Sequence, residues 1–427
     1  MATSHTAETL TTFTDMLKYD YAPAIVRTTA EKSFLLSHLQ SVAGKMDANG
    51  KGFIIPLQFD NMGSAASLAE GDDLPDSLPG TQTTCSITPK YHYFSVSVTG
   101  PAMQLSTGNT RAFAEAWSNQ IAVKTRSHRQ HLNRQLNGDG NAYLCQVDGS
   151  PSGVYVTVDN AYGLSGFNAS AVNGAKFITP NMKVDFVSSG TVRDSGGVTI
   201  SAIYTAASFP STSAVLTTSG TISSVADGDY VTVHNSYGHE MPGMMLLIDD
   251  GTRGATFQGV TIATYPEFKS YVHYGSTAGT AEPITTNRVQ VMLDDIEVDG
   301  GHVDFLYTSN AAWLTMGEAA RAENQIVSYD TIKGALDTGW TALMFNGKPI
   351  YKDPYCIDEL YAIDTRCIKI PEAGAPGWLE YDGSIIKQQT GKDQWNAYWG
   401  WYATTAIVAS RKWCGKLTDI TVTANKF

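Results

Sequence analysis

The sequence predicts an α+β chain, and three stretches carry that expectation. Residues 108–137 have the apolar stripe of one long helix, residues 150–245 are a Ser-, Thr-, Gly- and Val-rich run of short alternating segments, and residues 246–427 mix both periodicities.

The elements follow in order. Leu10, Phe13 and Leu17 recur at three- and four-residue spacing; Ile25, Phe34, Leu35 and Leu39 continue after Pro23, which separates two helical pieces. Phe53 to Leu57 begins a strand, and Tyr91 to Val98 alternates as its return partner. Between them Gly63 to Gly80 is rich in Gly, Ser, Pro and acids, so an extended hairpin with a flexible tip is expected. No Lys or Arg occurs from 52 to 89, against the five acids Asp60, Glu70, Asp72, Asp73 and Asp76. An isolated two-stranded ribbon is marginal in water, so this hairpin needs a partner surface.

In the long helix Phe113, Trp117, Ile121, His128, Leu132 and Leu136 share one stripe. Arg111, Arg126, Arg129 and Arg134 fall mainly on the rest of the circumference, and Asn137-Gly138 supplies the C-terminal cap. About thirty residues make a helix of roughly 45 Å. Within 150–245 the strands are Val154–Val158, Met182–Val187, Val198–Tyr204, Ala214–Thr218 and Tyr230–Val233, with turns at Gly196-Gly197 and Asp227-Gly228; this is a small barrel or sandwich. Beyond it come a helix over Asn287–Val298, a strand Val303–Tyr307 and a helix Ala311–Arg321. A hairpin Ala342–Phe345 and Pro349–Tyr351 turns at Asn346-Gly347. Strands Leu360–Ile363 and Tyr398–Ser410 complete the series.

Charged residues are 16% of the chain and hydrophobic residues 42%; the first figure is well below the roughly 25% usual in soluble proteins. Repeated subunit contact accounts for that, as does a Ser/Thr-rich secreted β domain. A net charge of −12 argues against a surface that grips nucleic acid everywhere, while leaving room for one basic face. The five cysteines, Cys85, Cys145, Cys356, Cys367 and Cys414, include no CxxC pair, so neither a zinc site nor a disulfide framework is indicated. The start lacks a signal-peptide pattern, and the most apolar run, Ala397 to Ala409, is too short to span a bilayer, so no membrane partner is expected.

The order of parts resembles that of the tailed-bacteriophage major capsid proteins, the Hong Kong 97-type fold. Two local matches sharpen the resemblance: Leu343 to Ile350 followed by Asp353-Pro354 and Leu360 to Asp364, and the closing stretch Trp401-Tyr402 through Arg411 to Leu417. The resemblance implies an N-terminal arm (1–49), an extended loop (50–100) and a spine helix with the start of a peripheral domain (101–149). An inserted β domain (150–245), an axial region (246–299) and the remaining axial and peripheral parts with the C-terminal strand (300–427) follow. It implies a non-enzymatic shell subunit forming hexamers and pentamers, enclosing double-stranded DNA in the virion head after synthesis in the host cytoplasm. Implied partners are a portal, a separate scaffolding protein (about fifty residues before the loop are too few for a fused one) and a decoration protein. The type member crosslinks its loop through a lysine; here Lys51 and Lys90 stand only at the loop base, so no such crosslink is expected. The acidic loop would meet Lys348, Lys352, Arg366 and Lys369 of a neighbouring subunit, and the four helix arginines would face packaged DNA.

Sharper chemistry finds little support. His128 and His131 lack a third ligand at metal spacing, and His128 lies on the apolar stripe. Asn137 to Asn141 starts like a calcium loop but has Ala142 where glycine is required, which leaves a helix-ending turn. Asp249-Asp250 and Asp294-Asp295 are adjacent pairs that do not face each other as catalytic carboxylates must, and Trp395, Tyr398, Trp399, Trp401 and Tyr402 read as strand core. No nucleophile elbow, HExxH, Walker or dinucleotide fingerprint occurs, so no catalytic residue, cofactor or metal is assigned. The competing functions are an encapsulin-like compartment shell and a β-rich tail-fibre or carbohydrate-binding protein.

Overall fold

The computed structural model describes residues 35–36, 38–39, 52–59, 67–70, 73, 80–101, 110–164, 174–205, 213–276, 278–322, 329–330, 342–380 and 383–422. The helix expected before Pro23 lies outside them.

Strand β1 (Phe53–Phe59) pairs antiparallel with β2 (Thr81–Ile87), from Phe53↔Ile87 to Phe59↔Thr81. The alternation at 91–98 had pointed to that stretch as the return strand, and the structure corrects this. Strand β3 (Lys90–Thr99) instead pairs with a strand near the other end of the chain. Both stretches alternate, and periodicity alone does not select a partner.

Helix α1 (Thr110–Asn137) follows. It leads into β4 (Tyr143–Val147), β5 (Tyr155–Asp159), β6 (Lys183–Ser188), β7 (Thr191–Thr205), β8 (Ala214–Thr218) and β9 (Tyr230–Val233). These six close into a barrel in the order β4-β5-β8-β7-β6-β9. Alternate residues, among them Leu144, Val156, Val158, Val184, Phe186, Leu216 and Val231, fill its interior. Gly196 and Gly197, expected at a turn, sit inside β7 with φ of 72° and 73°. They bulge the strand so that the Gly197 amide donates to Asp185 Oδ1 at 2.6 Å.

Among the described residues the remainder builds two larger sheets and three short two-stranded pairings. The larger takes in β10 (Tyr271–His273), β11 (Phe305–Thr308), β12 (Tyr329–Asp330), β13 (Ala342–Phe345), β14 (Lys348–Lys352) and β15 (Leu360–Ile363). The smaller comprises β3 with β16 (Glu372–Trp378), β17 (Ile386–Gln388) and β18 (Gln394–Ala403), the partner of β3. Strand β19 (Gly415–Leu417) returns to the larger sheet, whose order is β10-β19-β15-β11-β14-β13-β12. The long aromatic strand expected over Tyr398–Ser410 therefore ends at Ala403, with only a two-residue pairing at Ala406–Ile407 beyond it. Asn346 and Gly347 both have positive φ, which the tight turn between β13 and β14 requires.

Alternation gives the larger sheet two faces. Leu306, Leu360 and Ala362 pack under α2 (Thr286–Val298) and α3 (Asn310–Ala322), against Val289, Met292, Ile296 and Met316. Phe305, Tyr307, Tyr361 and Ile363 point the other way, into the core that holds Leu132, Leu136, Met244 and Leu247. The C-terminal half of α1 thus lies inside the protein while its N-terminal half crosses the smaller sheet through Ile121, Val96, Val98 and Ala397.

Candidate contact surfaces

The hairpin β1/β2 is two-sided because a strand sends successive side chains to opposite faces. Ile55, Leu57 and Phe59 lean on the chain's own core, with Phe59 stacked on Tyr265 at 5.8 Å and the Ser86 amide donating to the Gln258 carbonyl at 2.8 Å. The partner surface expected for the hairpin is thus supplied, for one face, by its own chain. The opposite face carries Ile54, Pro56 and Gln58 across from Ser86, Thr84 and Gln82, all exposed and all uncharged. Ile54 is 72% exposed, a large apolar side chain in open solvent. Two-stranded ribbons left open in this way are usually blunted by charge, and this one is not.

Of the loop acids, Glu70 and Asp73 are exposed, whereas Asp60, Asp72 and Asp76 lie outside the described residues. Among the four cations expected to receive them, Lys348, Lys352 and Arg366 are engaged by their own chain. Lys348 Nζ donates to the Val303 carbonyl at 2.6 Å, and the Lys352 ammonium stands 4.2 Å over the Trp313 ring. Arg366 reaches both Asp364 oxygens, at 2.6 Å and 3.0 Å, and stacks on Trp413. Burial pushes the Asp364 carboxyl up, but hydrogen bonds from Arg366 and from the His302 amide outweigh it and hold the group below the usual carboxylate range. Lys369 is half-buried.

On α1 the structure divides the arginines. Arg126 and Lys124 are both exposed, and the side chain of Arg111 lies outside the described residues. Arg129 and Arg134 are buried, which corrects their assignment to an open basic face. Arg134 is ion-paired with Glu240, and neighbouring Asn133 donates to the buried Asp353 at 3.2 Å. Helical periodicity places these residues off the apolar stripe, yet the 240s and 350s segments cover that flank and supply polar partners. His128 packs edge-on to Trp399 at 4.9 Å and tilted against Phe94 at 5.2 Å; burial takes it down to about 3, and His92 to about 4.

A second open surface was not anticipated. Tyr91 and Tyr93 alternate with the inward-facing His92 and Phe94 and are 61% and 53% exposed. Tyr402 meets both edge-on at 5.4 Å and 5.9 Å, and Tyr93 lies over Gly400, where a Cβ would approach its ring to 3.3 Å. The signal was the Tyr-His-Tyr-Phe alternation itself.

The barrel is seated on the rest of the chain. Tyr162 Oη donates to the Tyr355 carbonyl at 2.8 Å, Phe177 stacks on Tyr355 at 5.8 Å, and Lys176 donates to the Pro354 carbonyl.

No family model and no curated protein matches the chain. Among solved structures it is similar to the Cyanophage A-1(L) capsid asymmetric unit, with a TM-score of 0.51 at 14% identity, covering 90% of this chain and 92% of that one. The holo-SrpI encapsulin complex from Synechococcus elongatus PCC 7942 gives a TM-score of 0.44 at 7% identity over 100% and 96% of the two chains. The capsid of a native GTA particle gives 0.44 at 9% over 96% of each. Together with the mixed architecture above, the first of these likenesses gives the chain a capsid-protein fold.

Proposed function

We propose that the chain is a non-enzymatic major capsid protein of the Hong Kong 97 type, assembling through hexamers and pentamers into the icosahedral head of a tailed phage around double-stranded DNA. The observation that carries the reading is the capsid fold combined with a hairpin whose outer face is uncharged, carries the exposed Ile54 and is left open among the described residues. In this reading the hairpin of β1 and β2 is the extended loop, α1 is the spine, the smaller sheet, β3 included, with α1 is the peripheral domain, and the larger sheet with α2 and α3 is the axial domain. The barrel is the inserted domain. Ile54 and its neighbours lie across an adjacent copy, where many modest contacts add up through avidity. The exposed acids Glu70 and Asp73 set the register, and Asp60, Asp72 and Asp76 are assigned the same role. Because Lys348, Lys352 and Arg366 are engaged at home, they receive the acids only by sharing existing partners. Arg126 and Arg111 form the DNA-facing set, from which the buried Arg129 and Arg134 are withdrawn. Scaffolding, portal and decoration proteins are the proposed accessory partners.

Expression of the chain followed by electron microscopy and size-exclusion chromatography tests this reading. Closed shells, formed alone or with a co-expressed scaffold and holding nucleic acid, support it; a monodisperse protomer under both conditions overturns it, and shells that hold only protein favour the encapsulin-like alternative. Ile54→Asp should abolish assembly yet change protomer stability by less than about 0.5 kcal/mol, as exposed substitutions do; normal shells from this variant would refute the role of the hairpin face.

A further inference from the structure

All five cysteines are buried and free, and two of them flank the same end of one strand pair. Strands β15 and β19 are paired as far as Ala362↔Gly415. Just past that pair the chain turns at Asp364, with the Cys367 amide donating to the Asp364 carbonyl at 3.1 Å, while Cys414 immediately precedes Gly415. Both sulfurs therefore fall at the same end of one ladder. The Cys414 Sγ donates to the Asp364 carbonyl at 3.9 Å, the same oxygen that accepts from the Cys367 amide, and the Cys367 Sγ donates to the Ser410 carbonyl at 3.2 Å. Cover is thin, because Val408 to Ser410 and Lys412-Trp413 are half-exposed.

We propose that Cys367 and Cys414 are a redox-modifiable pair that closes to an intrachain disulfide when the protein meets a small-molecule disulfide. One thiolate attacks the reagent and forms a mixed disulfide, releasing one reagent thiol. The second cysteine then displaces the other half. Two electrons pass from the cysteine sulfurs to the reagent, one S–S bond breaks as another forms, and the two cysteine protons end on the two released thiols. The bond ties the C-terminal strand β19 to the loop after β15 and so fixes the edge of the β10-β19-β15 ladder. It restrains the unfolded chain between positions 367 and 414, a separation at which loop closure stabilises appreciably. The burial of both sulfurs makes the first attack slow, so the reaction requires local opening of the chain around them.

The test exposes the folded full-length chain to bis(2-hydroxyethyl) disulfide, alkylates remaining thiols in denaturant, and reads the products by mass spectrometry. The expected result is a crosslinked peptide joining Cys367 to Cys414, with Cys85, Cys145 and Cys356 alkylated and a melting temperature raised by several degrees. Cys414→Ser should show neither crosslink nor shift. If that variant fails to fold, the wild-type crosslink map decides alone. Recovery of both Cys367 and Cys414 alkylated, a stable mixed disulfide on either, or a crosslink between other cysteines would overturn the proposal.

Discussion

Acid should loosen the junction between α1 and the smaller sheet, and two histidines determine by how much. Burial against Phe94 and Trp399, with His92 as a like-charged neighbour, brings His128 down to about 3. Burial likewise brings His92 to about 4, with its hydrogen bond to Ala403 opposing and Lys90 assisting. In the unfolded chain both titrate near 6.5. The folded value lies below the unfolded one, so the unfolded chain holds the extra proton. The stabilisation is complete above pH 6.5 and falls away as pH drops towards 3 for His128 and 4 for His92. At about 1.4 kcal/mol per pH unit, a fall from pH 7 to 4.5 costs about 3 kcal/mol for His128 and slightly less for His92. Together that is a large part of the roughly 5–15 kcal/mol that holds a domain folded. The assay is urea unfolding of unassembled wild type and His128→Leu at both pH values, a comparison in which carboxylates common to the two proteins cancel. The variant should lose about 3 kcal/mol less than wild type over the interval. Equal acid losses would refute the argument.

Arg411→Met should destabilise by about 3–5 kcal/mol in the same assay at pH 7, because a fully buried guanidinium that donates to the carbonyls of Leu247 at 2.8 Å, Leu246 and Phe268 leaves them unpartnered. Gly243→Ala should sharply reduce soluble yield, since a Cβ there overlaps the carbonyl oxygens of Gln135 and Gly138 at the end of α1; wild-type yield and melting temperature would contradict this. Phe186→Ala should cost about 3–5 kcal/mol by leaving a cavity in the barrel core, measured by thermal melting.

Local periodicity made the long helix, the tight turn at Asn346-Gly347 and strand Leu360–Ile363 legible, because each is decided by residues close in sequence. It failed where the decision is made by distant chain. Thr81–Ile87 offers only Cys85 and Ile87 as buried apolar residues, so its pairing with β1 was hidden, while the stronger alternation at 91–98 reports a long-range partner, β18. Arg129, Asn133, Arg134 and Asn137 look like a solvated helix face until Glu240, Asp353 and Tyr307 arrive to cover it; Tyr307 Oη donates to Asn137 Oδ1 at 3.0 Å. The exposed side of Ile54 was likewise invisible, since Phe53-Ile54-Ile55 gives no indication of which isoleucine faces out.

The low charge of the chain finds its explanation in where the charges sit. Glu359, fully buried, accepts from Arg253 at 3.2 Å, Tyr361 at 2.5 Å and Thr418 at 3.1 Å, and lies 3.6 Å from the equally buried Lys416, which also faces Asp249. Burial pushes the Glu359 carboxyl up, but Lys416, Arg253 and these hydrogen bonds prevail and hold it below its ordinary range. Such clusters cost desolvation free energy and return it only when every partner is in place, so they favour one pairing of β15, β19 and the 249–253 turn over near alternatives. Arg134 with Glu240, both buried, acts similarly elsewhere. With these charges fixed inside the protomer, the outer hairpin strip Ile54, Pro56 and Gln58 and the Tyr91/Tyr93 patch carry none that would repel a like surface. On the proposed function, that distribution suits a subunit whose neighbours are copies of itself: charge specifies the fold within the chain, and the uncharged strips are offered for contact between copies.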